Sequence, residues 1–168
     1  MEYDKFMKTI KIEKCGCTDI GHKRPINEDY FEIQDSIFVL ADGMGGHNAG
    51  EIASQLAVEY TINTLKDILK KNNFELFDKH DVQQYIQNTI IKINKKLYEK
   101  SLKDIHLHGM GTTIVVGLHQ EPNFFHIANV GDSRAYLYRD KSLTLLSEDH
   151  SVTGSLLKNG TITQNEVK

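Results

Sequence analysis

The stretch SIFVLADGMGGHNAGEIAS, residues 36–54, decides the fold. Residues 36–42 form an apolar run short enough for a buried strand, with Asp42 at its end. Asn48, with Glu51 three residues later, makes a capping-box-like helix start. Ala53, Leu56, Ala57 and Tyr60 then continue on one helical face. A strand that turns through glycines into a helix suits a phosphate cradle, a metal corner or a plain turn.

The flanking sequence supplies the other layers. Residues 8–19 read as extended. After the polar KKNNFELFDKH, residues 70–80, a second helix is marked by Val82, Ile86, Ile90, Ile93 and Leu97, its start signalled by His80 or Asp81. The pattern then changes to β-rich runs, GTTIVVGLHQ, NFFHIANV, SRAYLYRD and SLTLLSED, separated by turn residues. These predict an antiparallel meander. SVTGSLLKNG predicts a short helix stopped at Asn159-Gly160, and TITQNEVK the start of another, with Thr163 and Glu166 as a cap pair. Strands, helices, then strands again imply an α+β layered domain, not a βαβ wind.

Bulk properties narrow the function classes. A chain of 168 residues fits one domain with a real core. A formal charge of −3 gives no basic footprint for nucleic acid. No apolar run approaches membrane-spanning length, and the N-terminus lacks the apolar segment of a signal peptide. Cys15 and Cys17 form no disulfide framework and no zinc quartet, so they read as reduced thiols in a cytoplasmic protein. His106 and His108 alternate but lie in a loop without a third ligand.

The chemistry of the glycine loop turns on Asp42. A nucleotide P-loop needs a lysine and a Ser/Thr after its last glycine, and neither is here. A dinucleotide fingerprint would place a glycine where Asn48 stands. A carboxylate beside the cradle repels phosphate unless a cation lies between them. Asp42 and the carbonyl of Gly43 are oxygen donors of the kind Mg²⁺ and Mn²⁺ take. An Asp-Gly turn at a strand end is the plain alternative. Two further acidic segments favour the metal: GHKRPINEDY brings Arg24, Glu28 and Asp29, and ANVGDSRAY brings Asp132. Arg24 offers a planar fork for phosphate oxygens, against the plain alternative of a surface ion pair with Glu28.

The ordered set RPINED, LADGMGGHNAGEIAS, GMGTT, ANVGDSRAYL and LSEDHS closely resembles the metal-dependent protein phosphatases, the PPM or type 2C serine/threonine phosphatases, in the wording of their bacterial members. The match runs from about Thr18 to the end of the chain. The resemblance implies a four-layer α-β-β-α sandwich of two antiparallel sheets. It implies a binuclear Mg²⁺ or Mn²⁺ centre, with a third ion in the complete domain. By that likeness Asp42 bridges two metals and the Gly43 carbonyl binds one. Glu28 holds a metal through water, Asp29 lies behind it, Asp132 helps hold the third ion, and Arg24 binds the substrate phosphate. The implied reaction is hydrolysis of phosphoserine and phosphothreonine proteins, targets of a partner kinase, by metal-activated hydroxide.

The sequence departs from the family pattern in two places. Many eukaryotic members carry a histidine directly after Asp-Gly as a proposed general acid; here that position is Met44, so the acid stays unassigned. The family pattern also calls for a later metal-binding Asp-Gly and an Asp-Asn. Asp42-Gly43 is the sole Asp-Gly, and Asp-Asn does not occur. Residues 1–168 therefore read as a single, C-terminally incomplete phosphatase domain, inactive alone. The alternative from another class is a pseudophosphatase-like binding or regulatory module.

Overall fold

A computed structural model describes residues 11–45, 49–71, 77–120, 124–161 and 163. Strands β1 (Asp29–Gln34) and β2 (Ile37–Met44) form a hairpin. Its turn places Asp35 at φ 51°, a left-handed position that a short polar side chain tolerates. Helices α1 (Gly50–Lys71) and α2 (Lys79–Lys103) follow, then a 3-10 turn over Ile105–Leu107. Strands β3 (Gly111–Thr112), β4 (Ile114–Gln120) and β5 (Phe124–Val130) complete an antiparallel sheet of order β1-β2-β4-β5, with β3 also paired to β2. Strands β6 (Tyr136–Arg139) and β7 (Ser142–Leu145) form a second, two-stranded antiparallel sheet, and α3 (Val152–Lys158) comes after it.

Alternation along β2 divides the two faces of the large sheet. Ile37, Val39 and Ala41 are buried, together with Ile114, Val116 and Leu118 of β4. They pack against Ala57, Val58, Ile62 and Leu65 of α1 and Val82, Ile86 and Ile93 of α2. This is the main core, and each fully buried aliphatic side chain in it contributes about 1.5–3 kcal/mol. The opposite face carries Phe31, Ile33, Phe38, Leu40, Val115 and Ile127, with Ala135 and Tyr136 at the start of the second sheet facing the same groove of about 320 Å³. Leu40 and Phe125 on this face are 44% and 50% exposed. Asp42 belongs to it as well, two residues beyond Leu40 along the pleat.

The α+β class and the two antiparallel sheets agree with expectation. Four local readings need correction. Strand β1 lies under residues that read only as an acidic cluster, because charge at Asp29 and Glu32 hides its alternation. Strand β2 does not end at Asp42 but continues to Met44, since β3 supplies partners for Gly43 and Met44. Helix α2 starts neither at His80 nor at Asp81: the cap is Asp78, whose carboxylate accepts from the Asp81 amide at 2.9 Å. The expected meander is split, with β4–β5 in the large sheet and β6–β7 in the small one. The split falls at Gly131, whose φ of 99° turns the chain out of the first sheet.

Residues 11–20 have no regular structure. The Asn48 cap, and all of the helix expected over 161–168 except Thr161 and Thr163, its Glu166 cap partner included, lie outside the described residues. The stop after α3 holds: Gly160 has φ 68°, and the Asn159 and Thr161 amides close back onto Ser155 and Leu156 carbonyls. His106 and His108 fall in and just after the 3-10 turn, not on a strand face. No helix among the described residues is long and apolar enough to cross a membrane.

Candidate active site

Asp29 opens β1 and sits directly across the ladder from Asp42 on β2. Two carboxylates in a cross-strand pair repel unless a proton or a cation lies between them. The Asp42 carboxyl is held above its ordinary value. Loss of water around it is the largest cause; the Asp29 charge and a hydrogen bond to Asp29 come next, then the charges of Asp132 and Glu28. Three acids from two other segments thus act on Asp42. Among the described residues, no three acidic, histidine or cysteine side chains stand together at coordinating distance. Asp29 and Asp42 are the ladder pair, and the charges of Asp132 and Glu28 act on Asp42 as well.

Backbone packing fixes this corner. The Gly43 amide donates to the Glu28 carbonyl at 3.0 Å, and Ser54 Oγ of α1 donates to the same carbonyl at 2.6 Å. A Cβ on Gly43 would lie 2.0 Å from the Gly50 carbonyl oxygen, so only glycine lets β2 meet the start of α1. A Cβ on Gly50 would lie 2.3 Å from Glu28 Oε1. These two glycines belong to the close packing of β2, α1 and the Glu28 segment, and no phosphate cradle is needed to account for them.

Arg24 donates from Nη1 to Glu28 Oε2 at 3.4 Å, and its side chain is 74% exposed. The plain ion-pair alternative is therefore the geometry found; such an exposed pair is weak and leaves the guanidinium open to competition by another anion. Asp132 is exposed in the turn between β5 and β6. Met44 is exposed beside the corner and has no proton to donate.

Sequence reasoning gave no roles to the residues that hold the Asp132 turn. Arg134 makes a two-pronged contact with Asp149, Nε to Oδ1 at 2.8 Å and Nη2 to Oδ2, which pulls the Asp149 carboxyl below its usual range. The His150 amide donates to the Gly131 carbonyl at 2.9 Å, and Asn129 Nδ2 to the Glu148 carbonyl at 2.6 Å. The LSEDHS segment is thus a brace for the turn. Its signal was its place among the five ordered motifs, without a spacing that names the contact.

The donor chemistry suits a hard divalent cation. The set is all oxygen, with Asp29 and Asp42 opposite each other on the β1–β2 ladder.

A family model described as "Protein phosphatase 2C" matches residues 22–162. The chain belongs to the protein phosphatase 2C family. Its relatives include the serine/threonine phosphatase stp of Listeria monocytogenes, 40% identical over an alignment of 154 residues that covers 89% of this chain and 59% of that protein. Among solved structures, this phosphatase 2C chain is similar to the serine/threonine phosphatase Stp1 from Staphylococcus aureus, at TM-score 0.78 and 35% identity, covering 99% of this chain and 65% of that one. It is also similar to the catalytic domain of PstP solved with two manganese ions, at TM-score 0.70 and 33% identity, covering 87% and 59% of the two chains. The chain thus spans about three fifths of the length of these phosphatase 2C relatives.

Proposed function

We propose that this chain carries the N-terminal part of a protein serine/threonine phosphatase site, which hydrolyses phosphoserine and phosphothreonine in proteins with Mg²⁺ or Mn²⁺. The observation that carries the reading is the Asp29–Asp42 cross-strand pair, with Glu28 and Asp132 acting on the same carboxyl. The family and the two manganese ions of the PstP structure support it.

Asp42 and the Gly43 carbonyl are the direct ligands in this reading. Glu28 acts through water with Asp29 behind it, and Asp132 serves a further ion. Metal ions held by these residues would supply a lowered pKa for coordinated water and positive charge against the phosphoryl group. Arg24 exchanges its exposed contact with Glu28 for the substrate phosphate, which its fork fits in two-pronged fashion. Met44 supplies no proton, so the leaving alkoxide takes its proton from solvent. The substrates are phosphoproteins, the products of a partner kinase, and the protein works in the cytoplasm with Cys15 and Cys17 reduced.

Within the 168 residues there is one Asp-Gly and no Asp-Asn, so the ligand set here is partial. We therefore expect the chain alone to bind Mn²⁺ weakly and to turn over a phosphothreonine peptide negligibly. The competing reading, a binding or regulatory module of pseudophosphatase type, rests on the same partial set. Phosphate release decides between them. A chimera that continues this chain with the remaining part of the Listeria relative should hydrolyse a phosphothreonine peptide with Mn²⁺, and Asp42→Ala should abolish turnover. A chimera that folds and binds Mn²⁺ yet releases no phosphate would favour the module.

A further inference from the structure

Between β3 and β4 the ladder to β2 is interrupted over two positions, Thr113 and Ile114, opposite Asp42 and Ala41. The register on both sides of the interruption is the same: Leu40 faces Val115 and Gly43 faces Thr112. Thr113 therefore stands opposite Asp42. Its amide donates to the Asp42 carbonyl at 2.9 Å, as a ladder requires. The return bond is different. The Asp42 amide donates to the Thr113 hydroxyl, at 3.0 Å, in place of the Thr113 carbonyl. That carbonyl instead accepts from Thr112 Oγ1 at 2.9 Å, which also reaches the Asp42 carbonyl at 2.9 Å.

The same hydroxyl makes a second connection. Thr113 Oγ1 and Ser133 Oγ are 2.7 Å apart, and Ser133 follows Asp132 in the turn after β5. The Thr113 methyl lies under the turn as well: a Cβ on Gly131 would stand 2.7 Å from Thr113 Cγ2. The side chain is buried, at 6% exposure. One threonine thus holds the Asp42 peptide with its hydroxyl and supports the Asp132 turn with both hydroxyl and methyl.

We infer that Thr113, with Ser133, is a positioning residue that sets the Asp132 turn against Asp42, so that the two acidic corners address one shared cation space. This rests on the phosphatase reading above and deepens it. Neither residue is a ligand; each acts through the carboxylates it places. Valine at 113 keeps the branch and loses the hydroxyl, leaving the Asp42 amide to a carbonyl already engaged by Thr112. Serine keeps the hydroxyl.

The test is Mn²⁺ line broadening of backbone amide resonances in the protein, residue by residue, for wild type, Thr113→Val, Thr113→Ser and Ser133→Ala. In wild type, the amides of Asp42 and Gly43 and those of Gly131, Asp132 and Ser133 should broaden over one Mn²⁺ range. In Thr113→Val the Gly131–Ser133 set should need about tenfold more Mn²⁺ than the Asp42 set, the scale of one lost buried hydrogen bond. Ser133→Ala should separate the two sets in the same direction, and Thr113→Ser should keep them together. A purely structural role would weaken both sets equally. Joint broadening in Thr113→Val at wild-type concentrations overturns the inference, as does a Thr113→Ser as defective as valine. If Thr113→Val does not fold, Ser133→Ala in its half-buried turn decides alone: separated sets support the inference and joint broadening overturns it. Broadening of only the Asp42 set in wild type defeats the inference and leaves the metal reading standing; no broadening of either set defeats both.

Discussion

Replacing Gly43 by alanine tests whether the Asp42 corner is set by backbone contact. The added Cβ would lie 2.0 Å from the Gly50 carbonyl oxygen, 2.4 Å from the Gly50 carbonyl carbon and 2.8 Å from the Glu28 carbonyl oxygen. An ordinary carbon contact is about 3.5 Å, so β2 and the start of α1 must part by more than an ångström. All three neighbours are backbone atoms, and none can swing aside as a side-chain end would. Parting also stretches the Gly43 amide bond to Glu28, now 3.0 Å. Overpacking of this kind costs about 1–3 kcal/mol, and one lost backbone hydrogen bond adds about 1 kcal/mol. The sum, about 2–4 kcal/mol, lowers the melting midpoint by roughly 4–16 °C in a domain of this size. Gly111 supplies the control. It faces Met44 across β2–β3, and a Cβ there meets only the Met44 side chain at 3.5 Å. Thermal and urea melts followed by circular dichroism should show Gly111→Ala near wild type and Gly43→Ala far below it. Equal midpoints for the two variants would refute the reasoning.

Other consequences follow from the core and the ionisable groups. Ile37→Ala, fully buried between the sheet and α1, should cost about 2–5 kcal/mol in a urea melt, and a cost below about 1 kcal/mol would contradict the packing. His126 is buried against Gln120, and burial first, then Lys79, holds its pKa below the ordinary histidine value. The unfolded chain therefore binds the proton more readily. Stability present above about pH 6.5 is lost as pH falls through the lowered folded value. Melting midpoints between pH 7 and pH 5 should fall with acid, less so in His126→Asn; an unchanged slope would sink the assignment. Arg134→Lys loses the two-pronged grip on Asp149, so hydrogen exchange of the His150 amide should quicken a few-fold while the global melt barely moves.

The layers were legible in the sequence because the core segments are a short apolar run or a clean helical spacing. The apolar run of β2 and the Val82–Leu97 spacing of α2 both carry into the buried core. Strand β1 was not legible, because its outer positions carry charge and its partner is identified only by pairing with β2. The Asp42 and Asp132 corners were readable as motifs, yet their relation was not. It depends on a hydroxyl that replaces a carbonyl in a ladder, and no residue pattern distinguishes Thr113 from an ordinary strand threonine. Arg24 was readable as a phosphate ligand or an ion pair, and the structure shows the pair with Glu28.

The most direct test of the central claim is Mn²⁺-dependent phosphate release from a phosphothreonine peptide by the chimera that continues this chain with the rest of the Listeria relative, compared with its Asp42→Ala variant. Turnover that needs Mn²⁺ and disappears in Asp42→Ala is the predicted result. Turnover that persists without Asp42, or without any divalent metal, would contradict the account.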